Sequence, residues 1–326
     1  MTKLPQKIKQ KIPFLPLFID EVQEARSLIV EKQKRRKRIT ITAGLSFMAF
    51  SSFIGYFKIL GINPEIGSLI SSLGFGFFWY DYYSKKKDNK RFSTIFEDNV
   101  NTFITESVDA NWEFSTDKIV FDSQDKRAGK IFAQDVKTLK KHFQIKGQYL
   151  GHPLRLIKFK TALAGQQSNG LYRSNDLFQG YLLTLDFKRN MDRKAVIAPK
   201  LTYQNLSNTG TQLLGLHQKG YVLQPNLETS FNQHFKVYTR KENTLPTILT
   251  PTLQRQLAYF VKDKKIQVHL FFNENRLYIS IRTGKKTDLP KINETFDIHE
   301  NAVLFYEELQ IIEVFLKRLE QGQLFK

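Results

Sequence analysis

One stretch constrains this chain more than any other, Arg35 to Lys87. It opens on Arg35-Arg36-Lys37-Arg38, runs apolar from Ile39 to Phe57, and breaks at Lys58 to Glu65. A second apolar run from Ile66 to Tyr80 follows, and Lys85-Lys86-Lys87 closes it. As a helix, about 20 apolar residues span a hydrocarbon core about 30 Å thick. Gly61 suits a left-handed helix C-terminus. Asn63-Pro64-Glu65 suits a new start: a side-chain cap, a proline where no hydrogen bond is lost, and a carboxylate at the positive end of the dipole. The expectation is a transmembrane helical hairpin over residues 39–83, with Trp79 and Tyr80 at the headgroups. The second run is short and carries Ser68, Ser71, Ser72, Gly67, Gly74 and Gly76, so its full crossing stays open.

Charge sets the expected orientation. Lysine and arginine stay on the cytoplasmic side. They crowd both outer ends of the hairpin, whereas the turn has only Lys58 and Glu65 near it. Both termini are therefore expected in the cytoplasm, with the lipid bilayer as a partner. The net charge is +19, with +7 in residues 1–38 and +3 in residues 39–91. Such a balance suits an anionic lipid surface or nucleic acid. The chain has no cysteine, which excludes disulfides, zinc–thiolate sites and thiol catalysis.

Periodicity organises the rest. Phe18, Val22, Ala25 and Ile29 share a helical face leading into the first apolar run. Phe92, Ile95, Phe96, Val100, Phe103 and Ile104 form another. Lys118–Phe121 reads as a strand, and Phe132, Val136, Leu139 and Phe143 as an amphipathic helix. Pro153–Lys160 reads as a strand with Leu154 and Leu156 opposite Ile157 and Phe159. Gly165–Gly170 and Asn205–Thr211 read as loops. Gly180–Phe187 alternates most clearly, and Lys194–Ala198 is a shorter strand. Leu227, Phe231 and Phe235 mark a short helix before the strand Lys236–Thr239. Thr250-Pro251 caps a helix, and Ile266–Phe272 with Leu277–Ile281 makes a hairpin. A final helix over Asn301–Glu320 turns Phe305, Leu309, Ile312, Leu316 and Leu319 inward.

From Phe178-Gln-Gly180 to Asp186-Phe187-Lys188 the sequence resembles a bacterial family of unknown function, DUF3137. The likeness continues through Val196-Ile-Ala-Pro199, Phe231–Thr239, Ile248-Leu249-Thr250-Pro251 and Leu277-Tyr278-Ile279. Where the family pattern has Ala-Arg-Tyr ahead of Leu-Thr-Pro, this chain has Leu245-Pro246-Thr247. The resemblance implies a transmembrane hairpin before one domain, set in a bacterial plasma membrane, and it implies no reaction.

Chemistry is sparse. The histidines show no H-E-x-x-H spacing, and no Walker loop or G-x-S-x-G elbow occurs. No cofactor or metal site is implied. Asp186, Lys188 and Tyr238 are the candidate functional surface. The expected fold is α+β: residues 1–38 a cytoplasmic helix and basic segment, 39–83 the hairpin, and 84–326 one cytoplasmic domain with a mostly antiparallel sheet. The expected role is a membrane-anchored interaction or accessory protein with a protein partner. Two alternatives stand beside it: an enzyme acting on a membrane-proximal or lipid-linked substrate, and nucleic-acid binding, which lacks a recognised binding fold.

Overall fold

Helical periodicity and strand alternation sort this chain into an N-terminal helical part and a sheet-rich part. The computed structural model describes residues 6–57, 64–116, 119, 136–163, 176–188, 194–200, 221–224, 227–240, 249–282, 292 and 296–325. The turn at residues 58–63, the strand expected at Lys118–Phe121 apart from Ile119, and both expected loops lie outside them. Two compact units result. One comprises residues 1–103 with 288–303, the other residues 104–287 with 304–326.

The first unit holds α1 (Gln6–Lys11), α2 (Leu15–Phe57), α3 (Pro64–Phe96) and a π turn (Glu97–Asn101). Along α2, Leu15, Ile19, Val22 and Ile29 are buried at spacings that keep them on one face. Phe18 stacks on Phe103 with ring centres 4.3 Å apart. Phe92 and Phe96 are buried and meet Phe296 edge-on at 6.2 Å and 5.4 Å. Arg26 fixes the segment around Phe296, donating to the carbonyls of Phe296 at 3.0 Å and Ile292 at 3.4 Å. The two long helices lie side by side. Phe47 and Phe77 are 5.5 Å apart, and a Cβ on Gly44 would come within 3.2 Å of the Phe78 ring.

Among the described residues, no helix is long and apolar enough to cross a membrane. This overturns the transmembrane hairpin of the expected fold class, and with it the expected multi-pass location in a plasma membrane. The physical reason is dilution. Thr40, Thr42, Gly44 and Ser46 interrupt the first run, while serines and glycines interrupt the second. The helices owe their length to charged turns, since α2 begins at Leu15 and α3 runs on to Phe96.

The second unit is built on one antiparallel sheet, so the α+β class stands. Its strands are β1 (Glu113–Ser115), β2 (Val136–Tyr149), β3 (His152–Leu163), β4 (Asp176–Asp186), β5 (Ala195–Pro199), β6 (Tyr221–Leu223), β7 (Phe235–Arg240), β8 (Gln267–Asn273) and β9 (Arg276–Arg282). Their spatial order is β1-β2-β3-β4-β9-β8-β5-β7-β6. Among the described residues, the helices that follow α4 (Thr102–Val108) are α5 (Thr229–Asn232), α6 (Pro251–Lys264) and α7 (Ile298–Gln321).

The helix expected around Phe132–Phe143 is overturned, because Val136–Tyr149 is strand β2. It pairs with β3 through the turn Leu150-Gly151, whose φ angles of 51° and 76° are those a tight hairpin demands. A register shift between Lys141 and Phe143 breaks the period of two, and the interrupted alternation mimics helical spacing.

Both faces of the sheet are covered. On one, Leu154, Leu156, Tyr181, Leu183 and Leu185 are buried, and α7 closes over it with Phe305 edge-on to Phe143 at 5.4 Å. Phe260 of α6 meets Phe315 of α7 at 4.8 Å. On the other face Ile157, Phe159, Leu182, Val196, Tyr221, Tyr238, Phe271 and Tyr278 form a single cluster. Thr250 caps α6, its Oγ1 accepting from the Leu253 N–H at 3.1 Å.

Candidate functional site

In α3, residues 80, 83–84, 87–88, 90–91 and 94–95 recur every three or four positions and therefore share one face. That face and the Lys32–Arg36 turn of α2 enclose a groove of about 750 Å³. Lys32, Arg36, Lys87, Lys90 and Arg91 line it, with Tyr80, Tyr83, Ser84, Asp88, Thr94 and Ile95. Five cations thus face one carboxylate.

A small ion-pair network sets the groove's shape. The Arg36 guanidinium donates to Asp88 at 2.7 Å and to Asp81 at 3.3 Å. Lys85 also reaches Asp81, at 2.5 Å, one helical turn away. Burial alone would lower the Arg36 pKa, but hydrogen bonds and charge from Asp88 and Asp81 outweigh it and raise it. Burial likewise works against ionised Asp81, and Lys85 and then Arg36 outweigh it, so its pKa falls. Arg36 and Asp81 are thereby held in their ionised forms. Among the described residues, no ion pair holds Lys32, Lys87, Lys90 or Arg91. On the same two helices Ile39, Leu45, Phe53, Trp79, Tyr82 and Tyr83 stand exposed.

The residues expected to flank a membrane therefore part company. Arg36, Tyr80 and Lys87 line the groove, and Lys85 braces it. Arg35, Lys37, Arg38, Trp79 and Lys86 are exposed. Lys90 and Arg91 are among the charges that crowd the outer end of the second apolar run. Ending the expected helix at Tyr83 concealed their phase with Tyr80 and Lys87.

The other candidates lie on the sheet. Asp186, ending β4, is held by Arg276 across the β4–β9 pair, with Nη2 to Oδ2 at 3.3 Å and Nε to Oδ1 closer still. Lys188 is exposed just beyond it. Tyr238 is buried in β7. Four strand spacings separate Tyr238 from β4, about 19 Å. The structure does not bring these three residues together. Sequence reasoning missed a second polar group, Lys158 with Glu308 and Tyr181, buried between β3, β4 and α7. Among the described residues, no three histidine or carboxylate side chains converge as a metal site.

Residues 176–321 match the family model described as "Protein of unknown function (DUF3137)". They form a DUF3137 domain. The match starts at β4 and ends with α7, so the DUF3137 stretch contains Asp186, Lys188 and Tyr238 and excludes the groove. The departure at Leu245-Pro246-Thr247 falls inside the DUF3137 stretch but outside the described residues. Comparison with curated proteins finds no match. Among solved structures, the mycobacterial trehalose monomycolate transport factor A, TtfA, is similar at 10% identity with a TM-score of 0.30, over 64% of this chain and 93% of that one. That likeness lies too low to carry over fold or activity to the DUF3137 domain.

Proposed function

We propose that this protein is an accessory protein that holds a partner protein on the paired α2–α3 surface. The observation that carries the proposal is the exposure of large apolar side chains on these two helices. Leu45 is 61% exposed, Phe53 58% and Trp79 60%, on helices that are otherwise packed together. Burying one such side chain returns about 1.5–3 kcal/mol, so a partner that covers several gains a usable affinity. Large apolar side chains left uncovered on two packed helices offer a partner surface to bury. The neighbouring groove selects the partner's charge, because five cations favour an apolar segment flanked by acidic residues.

The test places a photo-crosslinking amino acid at Trp79, and at the exposed Tyr259 as a control. Position 79 is expected to yield a protein adduct mapped to an apolar, acid-flanked segment, while position 259 does not. Leu45→Glu should abolish the adduct, and added salt should weaken it. Adducts only to lipid, or only to a second copy of the chain, would overturn the proposal.

A further inference from the structure

We propose that the groove between α2 and α3 receives a phosphorylated side chain. This rests on the partner-protein reading above and adds the chemistry of the group that enters. The groove's one carboxylate, Asp88, is already neutralised by Arg36 at 2.7 Å. Lys32, Lys87, Lys90 and Arg91 then converge on one space with no counter-ion among the described residues. A carboxylate brings a single charge and would leave most of them unpaired. A phosphomonoester brings a charge of about −1.5 to −2 at neutral pH, and three acceptor oxygens that several cations share. Arg91 supplies a planar fork for two of those oxygens, and the lysines supply point charges around them.

The surroundings fit that guest. A volume of about 750 Å³ is of the size that holds a side chain with its headgroup. Tyr80 and Tyr83 stand at the wall, where their hydroxyls donate and their rings cover the guest's carbon stem. Arg36 is committed to Asp81 and Asp88, so the site is braced before the guest arrives. Such preorganisation lowers the cost of binding.

The experiment uses the full chain and fluorescence anisotropy. The probes are short peptides of leucine and glutamate carrying a central phosphoserine, serine or aspartate. The phosphoserine peptide is expected to bind at least about tenfold more tightly than the aspartate peptide. Lys87→Gln with Arg91→Gln should remove that preference, and the exposed Lys146→Gln should not. Circular dichroism confirms that the variants fold. Inorganic phosphate should compete. Equal binding of the phosphoserine and aspartate peptides overturns the phosphate assignment and leaves the partner reading standing. Tighter binding of phosphatidylserine vesicles or of a single-stranded oligonucleotide overturns it too. A failed crosslink at Trp79 sinks the partner reading, whichever peptide binds.

Discussion

Lys158 shows what one residue decides in this molecule. It lies in β3 with its side chain 3% exposed, and its Nζ donates to Glu308 at 2.7 Å. The Tyr181 hydroxyl donates to the same carboxylate oxygen at 2.5 Å. The ammonium also faces the Tyr181 ring at 5.2 Å. Burial pulls the Lys158 pKa down, and Glu308 recovers part of that loss by charge and hydrogen bond. Burial and the Glu308 charge push the Tyr181 phenol well up, so it stays a donor. A buried pair contributes little over a packed apolar pair, but an abandoned partner is costly. Lys158→Met should therefore destabilise the fold by about 3–5 kcal/mol in chemical denaturation. Adding Glu308→Leu should restore much of that loss. A single variant as stable as the parent would show the pair to be solvated.

Two other residues give stability a pH dependence of opposite sign. His269 is buried, and burial with the nearby Arg282 charge lowers its pKa from 6.5 to about 4. Between those values the unfolded chain takes up a proton that the folded chain refuses, so stability falls as pH drops through the window. Glu97, in the π turn, is raised from 4.5 to about 7 by burial, with Asp98 adding to the rise and Ser93 opposing it. There the folded chain keeps a proton that the unfolded chain has released, so stability falls as pH climbs from 4.5 to 7. His269→Gln should flatten the acid-side loss and Glu97→Gln the other. Melting curves taken across pH 4–8 on each variant separate the two.

At the scale of elements, α7 is the piece most easily broken. Leu309, Ile312 and Leu316 are fully buried along its inward face. Ile312→Leu conserves volume and should cost less than about 1.5 kcal/mol. Ile312→Asp places a charge under the helix and should unfold the unit. An unchanged melting temperature for Ile312→Asp would show that face to be open to water. The end of α7 is equally tight, since a Cβ on Gly322 would lie 2.9 Å from the Leu253 Cα of α6.

Elements like α7 were legible because their signals are local. Its apolar stripe, the Thr250 cap of α6 and the alternation of β4 and of the β8–β9 hairpin all lie within a few residues. Three features were not. The bulge in β2 hides its alternation. The basic run after Tyr83 looks like a terminus, yet α3 continues through it to Phe96 and so forms the groove. The third is Lys158, since a lysine in a strand reads as solvent-facing. Its partner Glu308 stands 150 residues away, beyond any local pattern.

On the scale of the whole molecule, the DUF3137 match is smaller than the sheet it belongs to. It begins at residue 176, so β1, β2 and β3 fall outside it. Yet β3 pairs with β4 from Leu154–Leu185 to Ala162–Asp176, and it carries Lys158. A fragment of residues 176–321 should expose the β4 edge and leave Glu308 buried without its cation, so it should aggregate. Extending the fragment to residues 104–326 restores both partners and should give a soluble species in gel filtration. Equal solubility of the two fragments would show that β3 is dispensable.

The strand order also bears on how the chain is made. In the finished sheet the β8–β9 hairpin sits between β4 and β5, although residues 267–282 leave the ribosome after both. The two halves it joins cannot zip together as they emerge. Until Gln267–Asn273 appears β5 presents a bare edge, and until Arg276–Arg282 appears so does β4. The last hairpin acts as a keystone. Synthesis of this protein therefore includes an interval in which its own half-sheets are the nearest available mispairing partners, and chaperone cover matters most just before residue 267.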